Sequence, residues 1–198
     1  RVTLYKGVRE WFARINAYGA ARGIRILHYI NSSGLKEIIE GTEIAHEFRR
    51  IYACSFLYDI DGVAYWPAVA VNYTNKTQFI FKINKGVESV FDSKLVNQYI
   101  EEDKRPVPFR RMIYVGDGTT DIPCMRLVKN SGGHSIAVYN PEIRNARREL
   151  NGLIRDNRVS HVCPADYSEG SEMDTLVKTI IDKIEADHRL ELLETPRT

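Results

Sequence analysis

The sequence predicts an α/β protein with a mainly parallel sheet flanked by helices and one inserted β-hairpin. Short apolar runs alternate with segments of helical periodicity along most of the 198 residues, which is the pattern of strand–helix units in a parallel sheet. Residues 50–73 differ, because they are rich in aromatic and β-branched residues around Asp61-Gly62, a dipeptide typical of hairpin turns. We therefore expect residues 1–198 to form one domain, with 50–73 as its inserted hairpin region.

The first third of the chain predicts a helix, a strand and a second helix in succession. Apolar residues recur at helical spacing over residues 6–21, and an uninterrupted apolar run follows at residues 24–30. Ser32-Ser33-Gly34 then leads into a helical stretch over residues 35–40. This strand, small-residue turn and helix form half of a βαβ unit.

The part of the chain after the hairpin continues the alternation of helices and strands. Two prolines mark a predicted loop at residues 104–111. The expected helices cover residues 76–84, 91–102, 121–130, 141–150 and 171–193, and the expected strands cover residues 112–115, 134–139 and 159–162.

Composition and charge restrict the class of partner. The 28 Lys and Arg against 26 Asp and Glu leave a net charge of +2, whereas a nucleic-acid or acidic-membrane partner calls for a basic excess. No apolar run approaches the ~18 residues of a transmembrane helix. The three widely spaced cysteines match neither a zinc site nor a disulfide scaffold. We expect a cytoplasmic protein.

Two polar turns follow predicted strands, where α/β sheets bind their ligands. Ser32-Ser33-Gly34 offers hydroxyl and backbone N–H groups to an anion at a helix start, although a serine there can also act only as an N-cap. In Gly116-Asp117-Gly118-Thr119-Thr120-Asp121, two carboxylates repel each other unless a cation such as Mg²⁺ lies between them. The alternative is that Asp121 caps the next helix and Asp117 belongs to an ordinary turn.

Lys76 opens a predicted helix, where its charge opposes the helix dipole. This placement favours a nearby anion. The alternative is a solvated surface lysine.

Together these three features resemble the haloacid dehalogenase (HAD) superfamily of phosphohydrolases, and most closely its phosphoserine phosphatase-like branch. Ser32-Ser33-Gly34 after a strand is similar to the family's second motif. Lys76 at a helix start is similar to its third, for which Lys85 and Lys94 are the alternatives. The acidic pair Asp117 and Asp121 is similar to its fourth motif. The likeness runs from about Tyr5 to Ile184. It implies a Rossmann-like fold and a magnesium-dependent phosphatase, which is a metal-binding hydrolase.

The resemblance also implies a role for each matched residue. Ser32, with the backbone of Ser33 and Gly34, would bind the transferring phosphoryl oxygens. Lys76 would neutralise charge on the nucleophile and on the phosphate. Asp117 would ligate Mg²⁺, and Asp121 would support the metal shell or orient Lys76. These roles agree with phosphoryl transfer in general, which depends on positioning and charge stabilisation.

The family's first motif, Asp-x-Asp after a strand, has no counterpart ahead of Ser32. Its aspartates are the nucleophile and the general acid–base, and the family places their strand between those expected at residues 24–30 and 112–115. We therefore expect these 198 residues to belong to a longer protein. The chain alone should lack turnover and should have a gap in its core that an N-terminal segment of the same protein fills.

Asp59-Ile60-Asp61-Gly62 imitates the missing motif. In a permuted arrangement Asp59 would be the nucleophile and would lie within metal-shell distance of Asp117. The flanking apolar runs instead favour a hairpin whose turn is Asp61-Gly62. We adopt the hairpin interpretation.

The sequence thus predicts a phosphomonoester hydrolase that acts through a phosphoaspartyl intermediate in the intact protein. This chain would supply the phosphate-binding and metal-binding residues. The absent nucleophile keeps a second hypothesis open, a catalytically inactive HAD-like binding or regulatory module. A receiver-like phosphotransfer domain fits less well, because the hairpin has no role there.

Overall fold

The computed structural model describes residues 2–194, in which six strands alternate with helices and lie in two sheets. The strands are β1 (His28–Leu35), β2 (Phe48–Tyr58), β3 (Ala64–Val69), β4 (Ile113–Gly116), β5 (His134–Tyr139) and β6 (His161–Pro164). The α-helices are α1 (Val8–Ala20), α2 (Lys36–Glu40), α3 (Lys76–Lys85), α4 (Lys94–Asn97), α5 (Ile122–Asn130), α6 (Ala146–Arg155) and α7 (Glu172–Glu194).

The first sheet has the order β1-β2-β3 and is mixed, while the second has the order β4-β5-β6 and is parallel throughout. The amino-terminal part of β2 pairs in parallel with β1, and its carboxyl-terminal part pairs antiparallel with β3. The α/β class is confirmed. Its strands fall into two separate sheets in the described residues, so that β1 and β4 each lie at the end of a sheet.

The hairpin interpretation of residues 50–73 is confirmed by the pairing of β2 with β3. Asp59 closes the turn: its N–H donates to the Val63 carbonyl at 3.0 Å, and its Oδ1 accepts the N–H groups of Asp61 and Val63 at 3.0 and 2.8 Å. Gly62 takes a φ of 77°, which a side chain disfavours. The hairpin is continuous with the sheet, because β2 is also the central strand between β1 and β3.

Several predicted boundaries differ from the structure. The first strand begins at His28, since Ile24 instead terminates α1 by donating its N–H to the Gly19 carbonyl at 3.0 Å. The helix expected over residues 91–102 is reduced to α4. The ammonium groups of Lys82 and Lys85 donate hydrogen bonds to backbone carbonyls between residues 89 and 98. These bonds stabilise an irregular conformation of this segment.

The main apolar core joins α1 to β5 and α7. Trp11, Phe12 and Ile15 of α1 are buried against Ile136 and Val138 of β5 and against the apolar face of α7. A second cluster packs α3 and α5 against β2. Burial of these side chains stabilises the fold by about 1.5–3 kcal/mol each.

Contacts between distant parts of the chain hold α1 in place. Arg14 Nε donates to Asp174 Oδ1 at 3.0 Å, and the Tyr167 N–H donates to the Lys6 carbonyl at 2.8 Å. The Trp11 and Tyr167 rings meet edge to face at 5.2 Å. The first helix is therefore fixed by residues that lie more than 150 positions further along the chain.

Among the described helices, none combines the length and the apolar character needed to cross a lipid bilayer.

Candidate functional site

A cleft of about 1030 Å³ separates the two sheets. Residues of β1 and β4 line it, and α1, α3 and α7 contribute to its walls. The residues singled out in the sequence converge on its lining: Ser32, Ser33, Gly34, Lys76, Asp117 and Asp121. The two polar turns therefore line the same cleft, although β1 and β4 belong to different sheets.

Lys76 and Asp121 form an ion pair at the wall of the cleft. Lys76 is the first residue of α3, and Asp121 directly precedes α5. Lys76 Nζ donates to Asp121 Oδ1 at 2.6 Å, and the two side chains are only 4% and 10% exposed. This pairing explains how a lysine is tolerated at a helix start, because a fixed carboxylate balances its charge.

Two further donors fix the Asp121 carboxylate. The Tyr114 hydroxyl donates to Oδ1 at 2.6 Å, and the Gly118 N–H donates to Oδ2 at 3.3 Å. Of the two roles that the resemblance implied for Asp121, this geometry supplies the orientation of Lys76. Its role as a metal ligand stays a prediction.

Gly116 allows Asp121 to approach the end of β4. A Cβ atom on Gly116 would lie 2.6 Å from the Asp121 Cβ and 2.8 Å from its Cγ, which is closer than side chains pack. A Cβ on Gly118 would meet nothing nearer than 3.6 Å. The first glycine of the motif is thus required by packing, whereas the second is not.

The Ser32–Gly34 segment is extended, which corrects the expected helix start. Asn31 pairs with Tyr52, and Leu35 pairs with Cys54. Between these two pairs β1 advances by four residues and β2 by two, so the Ser32–Gly34 segment forms a β-bulge. The following helix α2 has only five residues and begins at Lys36. The alternative that a serine caps this helix is therefore not what the structure shows, and Ser32 Oγ instead accepts the Gly34 N–H at 3.0 Å.

Asp117 is the exposed carboxylate of the cleft. Within residues 2–194 it accepts no hydrogen bond and joins no ion pair. In the same range, no three His, Cys, Asp or Glu side chains converge to hold a metal ion. One available carboxylate still fits Mg²⁺, which proteins bind through one or two carboxylates while water and substrate phosphate complete its shell.

Sequence reasoning missed Asn31 and Tyr114. Asn31 Nδ2 donates to the Lys76 carbonyl at 3.1 Å and lies 3.8 Å from Cys124 Sγ, while its buried Oδ1 has no partner in the described part of the chain. Burial raises the pKa of Tyr114 well above its usual range and that of the Cys124 thiol to about 11. These groups are therefore neutral near pH 7 and act as hydrogen-bonding supports. The sequence did contain a signal for both residues. Asn31 and Tyr114 are each a side chain with a polar group in the apolar run that precedes a motif.

Asp59 is held in the hairpin turn and does not belong to the lining of the cleft. The same turn holds Asp61. The permuted nucleophile arrangement is thus not what the structure shows.

The fold and the cleft define an α/β protein with polar turns gathered between two sheets. The chain is 29% identical over 177 residues to an uncharacterized protein of Borreliella burgdorferi. The match covers 79% of this chain and 56% of that protein, so the chain spans little more than half the length of its relative. No protein-family model matches the chain.

Proposed function

We propose that this chain carries the phosphate-binding and metal-binding residues of a magnesium-dependent phosphomonoester hydrolase of the HAD type. The observation that supports it most is the oriented Lys76 at the wall of a cleft that also contains Ser32 and Asp117. A fixed cation, a hydroxyl and a free carboxylate are the groups that phosphoryl transfer uses to position and neutralise a phosphate.

Each residue then has a role that its surroundings allow. Lys76, held by Asp121, neutralises charge on the phosphate, and the Ser32 hydroxyl with the extended Ser33-Gly34 backbone contacts its oxygens. Asp117 holds Mg²⁺, which when bound shields the phosphate charge and supports attack at phosphorus. In the intact protein an aspartate outside these 198 residues would attack phosphorus as the P–O bond to the substrate alcohol breaks and the alcohol leaves, and water would then cleave the phosphoaspartyl intermediate to release phosphate.

Binding of inorganic phosphate tests this proposal without requiring turnover. Calorimetric titration of the 198-residue chain should detect phosphate binding that Mg²⁺ strengthens by about tenfold. Asp117→Asn should abolish the magnesium effect, because the amide lacks the carboxylate's charge. Asp61→Asn is the matched control, since Asp61 lies in the exposed hairpin turn.

Two results would contradict the proposal. One is phosphate binding no stronger than that of an unrelated protein of similar charge. The other is an equal magnesium effect in wild type and in Asp117→Asn.

A binding or regulatory module that lacks turnover is the second candidate. It is favoured by the small number of carboxylates in the described cleft lining, which are Asp117 and Asp121. Asp121 is paired with Lys76, so Asp117 is the unpaired one. Hydrolysis of p-nitrophenyl phosphate by the intact protein separates the two. Chelator-sensitive turnover supports the hydrolase, and phosphate binding without turnover supports the module.

A further inference from the structure

We propose that the distal half of the β2–β3 hairpin is the interface through which two copies of this chain form a two-fold symmetric dimer. The distal half comprises residues 56–66, from the last residues of β2 through the turn to the first residues of β3. Its exposed apolar side chains pack against those of the partner, with Trp66 near the symmetry axis. The proposal does not depend on the phosphate site, because residues 56–66 lie outside the lining of the cleft.

The distal hairpin exposes several large apolar side chains close together. Ile60 is fully exposed, and Trp66 and Tyr65 are 63% and 62% exposed. Three more side chains of this segment are about half exposed: Leu57, Tyr58 and Val63. Single apolar residues scattered over a protein surface are normal, whereas a contiguous patch of them marks a site of interaction.

The area of this patch matches that of a specific interface. An aromatic side chain buries about 150–250 Å² when it is fully covered, so the six exposed side chains together offer roughly 700 Å². The largest apolar patch of a typical monomer is about 300–600 Å². One partner of a standard-size interface contributes about 800 Å², so the patch is large enough for a stable dimer.

The body of the protein provides little apolar cover for this part of the hairpin. The pairing of β1 with β2 ends at Leu35 and Cys54, and beyond that point β2 pairs with β3 alone. Glu37 of α2 accepts hydrogen bonds from the Phe56 N–H at 3.1 Å and from the Tyr58 hydroxyl, which are polar contacts. A two-stranded hairpin is marginally stable in water by itself and needs a further layer against its apolar residues.

The distribution of charge favours a second copy as that layer. Residues 62–75, which include β3, contain no charged side chain. In a two-fold interface each residue near the axis meets its own copy, so any charge there faces a like charge, which is costly. The acidic residues Asp59 and Asp61 lie in the turn. Antiparallel packing of two hairpins places the two turns at opposite ends and brings the uncharged segments together.

Pro67 indicates that the partner packs against a face of the hairpin and not along its edge. β3 is the outer strand of its sheet, but Pro67 has no N–H to donate to a further strand. Leu57 and Trp66 are cross-strand neighbours and therefore share one face. Tryptophan is enriched at the centres of interfaces, which places Trp66 nearest the axis.

Sedimentation equilibrium of the 198-residue chain tests the proposal. We expect a monomer–dimer equilibrium with a dissociation constant in or below the micromolar range. Trp66→Asp places a charge opposite its own copy and should weaken dimerisation by at least about a hundredfold. Tyr99→Asp is the matched control, because Tyr99 is an aromatic residue with 83% exposure that lies outside the hairpin. Circular dichroism checks that both variants fold.

A mixture of oppositely charged variants tests the symmetry. Trp66→Arg by itself should be monomeric for the same reason as Trp66→Asp. When the two variants are mixed, a dimer should form again, because the carboxylate of one chain then faces the guanidinium of the other. A mixture that stays monomeric would contradict the placement of Trp66 at the axis.

Three further results would overturn the proposal. One is a chain that stays monomeric throughout the micromolar range. Another is a dimer that Trp66→Asp leaves intact, because its interface then lies elsewhere. The third is a dimer that forms from the 198-residue chain but not from the intact protein, since other polypeptide of the same protein then covers the hairpin.

Discussion

Lys76 and Asp121, 45 positions apart, meet through a 2.6 Å contact between Nζ and Oδ1. The contact joins the first residue of α3 to the residue before α5 and therefore fixes one helix start against another. Tyr114 and Gly118 add two hydrogen bonds to the same carboxylate. The lysine is thus held at the cleft before any ligand arrives, which lowers the entropic cost of binding an anion.

Replacement of Lys76 should destabilise the fold strongly. Lys76→Met leaves the buried Asp121 carboxylate without its cation, and loss of one partner of such a pair costs about 3–5 kcal/mol. Urea unfolding followed by circular dichroism measures the change. Lys76→Met combined with Asp121→Asn should recover part of the loss, because no charge is then left buried.

The exposed Lys36–Glu40 pair supplies the control for this measurement. Lys36→Met should change the free energy of unfolding by less than about 1 kcal/mol, since exposed ion pairs contribute little. Equal effects of Lys36→Met and Lys76→Met would contradict the buried pair.

The two glycines of the Gly-Asp-Gly turn should respond differently to alanine. Gly116→Ala places a Cβ 2.6 Å from that of Asp121, so the carboxylate must move, and we expect a loss of about 1–3 kcal/mol in unfolding free energy. Gly118→Ala meets ordinary contacts at 3.6 Å or more and should cost less than about 1 kcal/mol. Urea unfolding of both variants checks the order, and a reversed order would refute this account of the turn.

Asp59→Ala should weaken the hairpin and leave ligand binding intact. The substitution removes an acceptor for the Asp61 and Val63 N–H groups, at a cost of about 0.5–1.5 kcal/mol for each bond. Hydrogen exchange in β2 and β3 measures the weakening, and calorimetry measures phosphate affinity. If Asp59→Ala instead lowered phosphate affinity and left the hairpin unchanged, Asp59 would belong to the phosphate site.

Stability should fall as the pH drops below neutrality. Burial lowers the pKa values of His28, His134 and His161 below the usual value of about 6.5. The unfolded chain therefore binds more protons than the folded chain below pH ~6.5, and the stability that these neutral rings contribute is lost as the pH falls through their folded pKa values. Urea unfolding between about pH 7.5 and 5.5 measures this slope.

His28 offers a direct check on the origin of that slope. Its ring contacts Asn16 through a 2.8 Å hydrogen bond and lies edge to face with Phe12. His28→Gln should reduce the slope, because glutamine does not titrate. His46→Gln, at an exposed position, is the control. A slope unaffected by His28→Gln would exclude this ring as a source.

The sequence predicted the bounds of an element best where hydrophobicity and the flanking residues gave the same indication. β5 has the predicted bounds, because its residues are buried between flanking strands and a glycine pair precedes it. The apolar run at residues 24–30 was misleading, since Ile24 and Ile26 are apolar without being paired in a sheet and pack against α1 instead. An apolar run indicates that its side chains are buried. Whether it forms a strand depends also on which other strand lies beside it to pair with its backbone.

The same distinction applies to the site. The motifs correctly predicted that Ser32, Lys76, Asp117 and Asp121 line one cleft. This was predictable because α/β folds bring the carboxyl ends of their strands together. The support from Tyr114 depends on which face of a four-residue strand points toward α5, and periodicity over so short a strand does not settle that. The bulge at Ser32–Gly34 depends on how β1 pairs with β2, and no hairpin turn joins these two parallel strands to fix their register.

The contacts of α1 with residues near Tyr167 and Asp174 also affect the timing of folding on the ribosome. Arg14 and Asp174 are separated by 160 positions, so at about 5–20 residues per second the helix waits roughly 8–32 s for its partner to be synthesised. During that interval Trp11, Phe12 and Ile15 have no α7 to cover them. A nascent chain of this protein should therefore depend on chaperone protection until α7 emerges.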